Sequence, residues 1–418
     1  MDDQDRRFVK EDRSSDLTTD RRRSLRGLDW FVFFVADVQT GFGPFIAVYL
    51  TAHKWTQIDI GLVLTIGGLI SLFGQIPAGA LLDALPSPRR AAAISVCLVG
   101  LSALILALWP SHLGVYTSRV LQAGASCILG PAIAAISLGI TRPDAVGQRF
   151  GRNAAFASAG TGIAAAIMGL CGYYISNQSV FIVTALLALP ALFALLQIKE
   201  SHIDTKRSHG GDRQDLSSLT EIMRFASAHR PIFLFASCVF LFHLANAGVL
   251  PLVASNFTAR SSTTATFLIA LAMILPQFTV TVISPVVGRL TERFGRRTFL
   301  LLGFGALFVR ILLTALSSSQ ATVVLLQALD GISAAVLGVL VPLTIADLTR
   351  RTGRFNLVQG FVGCAMGLGA SLSTTLAGFL ADRFNTMDAL ISLSAIAASG
   401  LLLVWIAMPE TKSDQDEA

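Results

Sequence analysis

Apolar residues along this chain fall in long continuous blocks, not in the alternation of a half-buried strand or the one-sided stripe of a water-facing helix. A helix crossing a bilayer needs about 20 mostly apolar residues. Twelve blocks meet that length: 28–52, 58–82, 91–110, 113–140, 150–174, 178–198, 231–255, 264–290, 298–316, 321–346, 357–381 and 387–408. The breaks between them are short and polar, such as Pro86-Ser87-Pro88-Arg89-Arg90 and Gly295-Arg296-Arg297. One break is long, 199–230, with Gly210-Gly211 near its middle, and it divides the blocks six and six. The pattern predicts an all-α polytopic membrane protein with twelve transmembrane helices, numbered here spans 1 to 12. They form two six-helix bundles over 27–198 and 231–408, joined by a linker over 199–230. Residues 1–26 are expected to be a disordered tail and 409–418 a short second one.

Composition narrows the class. Of the 418 residues 53% are hydrophobic and 14% charged, against about 25% charged in a soluble chain. Too few charges remain to cover a water-facing surface, which argues against a soluble enzyme, a disordered protein or a nucleic-acid binder. The net charge of +6 follows topology instead. If the spans alternate in direction, the side holding both termini carries 27 Lys and Arg in its loops and tails, and the other side carries only Lys54, Arg260 and Arg383. That asymmetry predicts cytoplasmic termini. The first 26 residues lack an apolar core and do not read as a cleaved signal peptide. The five cysteines (Cys97, Cys127, Cys171, Cys238, Cys364) sit in apolar blocks without zinc-ligand spacing, so neither a metal site nor a disulfide framework is expected.

The halves look duplicated. Gly79-Ala80-Leu81-Leu82-Asp83 ends span 2, and Gly288-Arg289-Leu290-Thr291-Glu292 ends span 8, 209 positions later. The same offset maps Ala36-Asp37 onto Ala245-Asn246. A parallel repeat of six spans is an architecture that places a binding site near the bilayer midplane between the halves.

With these strings in view, the chain resembles the major facilitator superfamily over essentially all twelve spans. The most specific string is Gly288-Arg289-Leu290-Thr291-Glu292-Arg293-Phe294-Gly295-Arg296-Arg297, similar to that family's loop signature. The N-terminal copy keeps Gly79, Asp83, Arg89 and Arg90 but has Ala84 in place of the usual base and Pro86-Ser87-Pro88 in place of the glycine. Arg119-Val120-Leu121-Gln122-Ala123-Gly124 resembles the span-4 motif, with Ala123 where a glycine is usual. Span 5 has glycines at 151, 160 and 169 but lacks the Gly-Pro pair of many drug-exporting members. Gln359-Gly360-Phe361-Val362-Gly363 and Ala381-Asp382-Arg383 in span 11 resemble an uncharacterised bacterial subgroup. The resemblance implies a secondary transporter working by alternating access in a bacterial cytoplasmic (inner) membrane. It implies a gate made of Gly79, Asp83, Arg89, Arg90, Gly288, Glu292, Arg293, Gly295 and Arg296. Asp83 would lie near Asn356 and Leu357, and Glu292 near the start of span 5, each acid facing the positive end of a helix in the opposite half.

Charged residues inside a membrane are functional hypotheses by default. Asp37, Arg119, Arg310 and Asp330 qualify, whereas Asp29 and Asp59 lie near the interfaces and are expected to be solvated. Burial disfavours a charged carboxyl, so Asp37 at mid-span can carry a proton or bind substrate. The alternatives are an Asp37 held by hydrogen bonds or paired with Arg119. Arg119 could instead bind an anionic substrate, and Arg310 either pairs with Asp330 or snorkels. His243 and Asn246, three apart, share a helix face, and His suits proton exchange. Gln39, Gln75, Gln122, Gln277 and Arg310 complete a cavity set. No phosphate-cradling loop appears, so neither ATP drive nor a cofactor is expected.

The reading is a non-enzymatic, monomeric transporter of a small solute, coupled to protons and acting as an exporter by antiport. An uptake symporter or uniporter is the alternative, and a membrane sensor or membrane-embedded enzyme is the rival from another class.

Overall fold

The computed structural model describes residues 3–40, 42, 45–211, 229–260 and 262–412. Among them all regular structure is helical. Eleven segments are long and apolar enough to cross a bilayer, and the twelfth crossing is span 1, which is divided. Span 1 runs as Asp3–Thr40 and Phe45–Ala52. Spans 2 to 6 are Gln57–Ala84, Pro88–Leu108, His112–Ile140, Val146–Tyr174 and Asn177–Leu196. Span 7 is divided like span 1, as Arg230–Asn246 and Val249–Arg260. Spans 8 to 12 are Ser262–Phe294, Arg296–Leu316, Gln320–Leu348, Phe355–Arg383 and Thr386–Ala407.

The chain starts its helices with short polar side chains. Thr56, Ser87, Ser111, Ser176, Ser319 and Asn385 each accept a hydrogen bond from a first-turn N–H, which satisfies donors that a helix leaves unpaired. Ser87 and Pro88 thus start span 3 locally. Span 9 starts differently, on Gly295 at φ +84° with no side-chain cap of its own.

Two corrections concern the polar segments. The expected tail is helical from Asp3 onward and continuous with span 1. Its inner end docks: Arg21 donates to the Ile140 carbonyl at 3.0 Å, Ser24 to that of Gln197 at 3.3 Å, and Lys199 pairs with Asp20. The Lys199 ammonium holds the Asp20 carboxyl below its usual range. Likewise the first part of the expected linker is ordered, with a short helix at Thr205–His209 packed under span 4. Gly139 has room for Ile203 against it only because it lacks a side chain. Residues 212–228 of that linker lie outside the described residues.

Each half has its own apolar core. In the first, spans 1, 3, 4 and 6 pack closely; in the second, spans 7, 9 and 12 do, with spans 10 and 11 against them. The halves meet chiefly through spans 5 and 8 and through spans 2 and 11. Those four bury the smallest share of their apolar length among the eleven.

The seam is tight at one end only. Near the face that carries the termini the backbones touch at glycines. A Cβ on Gly79 would sit 2.1 Å from the Asn356 carbonyl oxygen, on Gly360 2.2 Å from that of Gln75, on Gly288 2.3 Å from that of Gly147, and on Gly151 2.4 Å from that of Ser284. Further along the same helices the gap opens: 3.5 Å from Gly367 to Leu72 and 3.9 Å from Gly162 to Gln277. Gly61, Gly68, Gly169 and Gly378 have nothing within 4 Å. The halves are therefore closed together on the terminus-bearing face and splayed on the other.

Candidate functional site

The closed face is held by carboxylates on helix starts. Asp83, at the end of span 2, is buried. It accepts hydrogen bonds from Leu357 N at 2.8 Å, Asn356 N at 3.2 Å and Asn356 Nδ2 at 2.7 Å. His209 from the middle segment lies 3.5 Å from the same carboxylate. Glu292 sits in the equivalent place, accepting from Gly147 N at 2.6 Å in the first turn of span 5. Both acids therefore satisfy orphan N–H groups in the opposite half, where the helix dipole also favours negative charge.

The basic residues of the two loops work within their own half. Arg296 is buried and donates to Asp347 at 3.0 Å, to Glu292 at 3.1 Å and to the Thr291 carbonyl at 2.8 Å. Glu410, just beyond span 12, accepts from the N–H groups of Arg296 at 2.8 Å and Arg297 at 3.1 Å. It supplies the cap that span 9 lacks, and Gly295 leaves room for it, since a Cβ there would be 2.4 Å from its carboxylate. Burial by itself would raise the Glu410 carboxyl, but these N–H donors, with those of Thr411 and Lys412, hold it below the usual glutamate value. In the first half Arg89 and Arg90 approach Glu200, just beyond span 6, at 4.0 and 3.8 Å. Arg293 is exposed and lies over the Phe294 ring. Asp347, Glu200, Glu410 and His209 were not among the residues expected from the sequence.

Asp29 corrects a further expectation. It is 2% exposed instead of solvated, because Arg149 and Arg152 of span 5 grip it at 2.5 and 2.7 Å. Arg149 passes the network on to Asn153 at 2.9 Å, and Asn153 to Ser137 at 2.7 Å.

Deeper in the spans the four intramembrane charges separate into two kinds. Arg310 and Asp330 form an ion pair at 2.5 Å, and Arg310 also donates to Asn246 at 2.7 Å and Gln327 at 3.3 Å. This cluster lies inside the second half, so Arg310 does not snorkel, and Arg310, Asn246 and Asp330 face one another across three helices. His243 points back along span 7, with Nδ1 3.0 Å from the Val239 carbonyl. Asp37 and Arg119 are not paired with each other. Arg119 donates to Gln122 at 2.6 Å, and Gln122 to Ser126 at 3.1 Å. The guanidinium lies in the space left by Gly67, where a Cβ would meet Nε at 1.9 Å. Asp37 is 3% exposed, beside Gly160 of span 5, and its Oδ1 has no hydrogen-bond partner among the described residues. Buried polar atoms of that kind are uncommon and call for an explanation.

Between the halves lies a cavity of about 270 Å³, lined by Gln39, Gln75, Ser126, Cys127, Gln359 and Met366 among others, with no charged side chain among the described residues. Gln39 and Gln75 were expected there. Gln122 reaches it only through Ser126, and Gln277 is instead bound by Ser158 at 2.6 Å across the span 5–span 8 seam. Ser126, Gln359 and Met366 were missed because nothing in their local strings separates them from ordinary packing positions.

Two six-helix halves with cross-half carboxylate latches and a polar cavity between them define a secondary transporter fold. The chain belongs to the Major Facilitator Superfamily, whose family model matches residues 30–254 and 235–418. Uncharacterized MFS-type transporters from two strains of Mycobacterium tuberculosis are each 36% identical over 395 residues, covering 93% of this chain and 94% of theirs. A triacylglyceride transporter of Mycolicibacterium smegmatis is 30% identical over 129 residues, 30% of this chain and 22% of its own. Among solved structures, the human organic anion transporter TETRAN superposes with a TM-score of 0.70 at 16% identity, covering 92% of this chain and 99% of that one. The Escherichia coli fucose:proton symporter does so at 0.69 and 15% identity, covering 90% and 97%. The protein is a multi-pass membrane transporter of this family, whose members act on small-molecule substrates.

Proposed function

We propose that the protein exports a small solute across the cytoplasmic membrane in exchange for protons, with Asp37 as the coupling acid. The observation that carries this reading is the buried Asp37 carboxylate with one unpartnered oxygen and no cation on it among the described residues. Arg310 and Asp330, by contrast, neutralise each other. A carboxyl held in a site that water and lipid exchange for protein as the halves rock can take a proton on one side and release it on the other. Asp83 and Glu292 are the latches that such a cycle breaks when the terminus-bearing, cytoplasmic face opens. The excess of Lys and Arg on that face supports the orientation. Export is favoured by the family resemblance. Proton-driven uptake is the second reading, since a fucose:proton symporter shares the fold.

The test is solute flux in inverted vesicles and intact cells, over a panel of drugs, metabolites, metalloids and acylglycerols, with and without a protonophore. Protonophore-sensitive expulsion is the expected result, and protonophore-sensitive accumulation would turn the reading to symport. Asp37→Asn should abolish flux driven by a pH gradient while leaving counterflow of the solute intact. Unchanged pH-driven flux in that variant removes Asp37 from the proton path.

A further inference from the structure

A second cleft, of about 600 Å³, opens on the flank of the molecule beside the span 5–span 8 seam. Trp30 and Phe33 of span 1, Arg152 and Phe156 of span 5, and Pro285 and Arg289 of span 8 line it. It therefore draws its walls from both halves, and it is separate from the central cavity and from the latches.

Its floor is aromatic. Trp30 is half exposed and sits edge-on to Phe33 at 5.5 Å and to Phe156 at 5.9 Å. Its upper rim is cationic. Asp29 is shared by Arg149 and Arg152, so one carboxylate faces two guanidiniums and the trio keeps one net positive charge. The Arg152 guanidinium remains half exposed above the Phe156 ring. Arg289 adds a second positive charge. It is exposed, and among the described residues only its Nε–H is used, on the Pro285 carbonyl at 3.3 Å.

Depth selects the occupant. Arg289 lies five residues before the end of span 8 at Phe294, and Arg152 six residues after the start of span 5 at Val146. At 1.5 Å per residue both sit roughly 8–9 Å inside the helix ends, at the level of lipid headgroups. A tryptophan at that level is the ordinary anchor of a bilayer interface. Basic pockets between membrane helices suit anionic headgroups, and the aromatic floor below suits an acyl chain.

We propose that this cleft binds one anionic phospholipid of the terminus-bearing leaflet, its phosphate bridging Arg152 and Arg289 and an acyl chain lying on Trp30, Phe33 and Phe156. Because the two arginines belong to different halves and flank the seam at Gly151 and Ser284, the bound lipid ties the halves together on the closed face. Opening that face pulls the arginines apart and releases it. The inference does not depend on which solute is carried or on proton coupling.

The experiment is lipid retention by the full-length protein in native mass spectrometry, after reconstitution with phosphatidylglycerol or phosphatidylcholine. The wild type should hold one phosphatidylglycerol in preference to phosphatidylcholine. Arg289→Gln, which breaks no ion pair among the described residues, should lower that retention about fivefold, the worth of one basic residue at a charged leaflet, and Arg289→Lys should restore most of it. Arg22→Gln removes an exposed charge outside the cleft and should change nothing. Equal retention of the two lipids by the wild type, or an equal loss in Arg22→Gln and Arg289→Gln, would overturn the site. So would displacement of the lipid by millimolar inorganic phosphate, which would make it a site for soluble anions. In spin-labelled protein, phosphatidylglycerol should raise the closed population of the wild type and leave Arg289→Gln unmoved. A shift of equal size in both would overturn the bridging role.

Discussion

The two ends of the seam are built from the same four helices and behave oppositely. On the terminus-bearing face spans 2, 5, 8 and 11 touch through glycine backbone, with Asp83 and Glu292 locking the first turns of spans 11 and 5. On the opposite face the same helices carry exposed apolar side chains, Leu62 and Leu69 on span 2 and Met273 and Ile274 on span 8. The lesson is that helix length and hydropathy do not set which end closes. Closure needs close backbone contact, which small residues and above all glycine allow, and a charge in the opposite half to meet the helix dipole.

The strongest way to break that difference is to fill the closed end. Gly79→Leu or Gly288→Leu places a side chain onto a carbonyl oxygen that is already within 2.1 or 2.3 Å of the Cβ position. Overpacking of this kind costs about 1–3 kcal/mol, so the ratio of closed to open protein should fall about five- to 150-fold. Spin-label distances across the terminus-bearing face would read it, with solute flux falling in parallel.

Asp83→Asn is the next largest. It keeps one acceptor for three donors and removes the charge at the span 11 N-terminus. A loss of about 1–2 kcal/mol should raise alkylation of a cysteine placed behind the gate several-fold, whereas alkylation on the splayed face should fall.

A smaller effect comes from pH. The Glu410 carboxyl is held below its ordinary value by the N–H groups at the start of span 9 and by those of Thr411 and Lys412. A carboxylate whose folded value is depressed stabilises the fold above its unfolded value and loses that contribution as pH falls through the folded one. Melting of the wild type should therefore drop more steeply than that of Glu410→Gln as pH is lowered beneath the usual glutamate range.

The smallest change is expected at the splayed end. Gly169→Ala meets nothing within 4 Å and should leave the spin-label distances on both faces unchanged. A shift as large as that of Gly79→Leu would show that the two ends are not separate in the way described.

Much of the fold was readable because bilayer crossing writes itself into length and hydropathy. Span 1 was readable as a block although it carries Asp29 and Asp37 and turns at Phe42. The proximity of Asp83 to Asn356 and Leu357 was legible through the loop string. Its C-terminal counterpart Glu292 was legible for the same reason. Asp29 was not, since its partners Arg149 and Arg152 lie 120 and 123 positions away, and an acid near a span end looks solvated until the neighbouring helix is in place. Glu410 had no local signal at all: it is one acid in a charged tail, and its role comes from a helix start that begins on a glycine 115 positions earlier.

Alone, the sequence determined the class, the number of spans, the duplicated halves and the charge asymmetry between faces, because these depend on the run of residues against a slab of hydrocarbon. The tertiary structure alone decided the pairings. Arg310 went to Asp330, Arg149 and Arg152 to Asp29, and Asp37 was left with an oxygen that has no hydrogen-bond partner among the described residues. A buried charge takes whichever partner the packing of distant helices brings within reach, and that packing is set by backbone contacts no local string encodes.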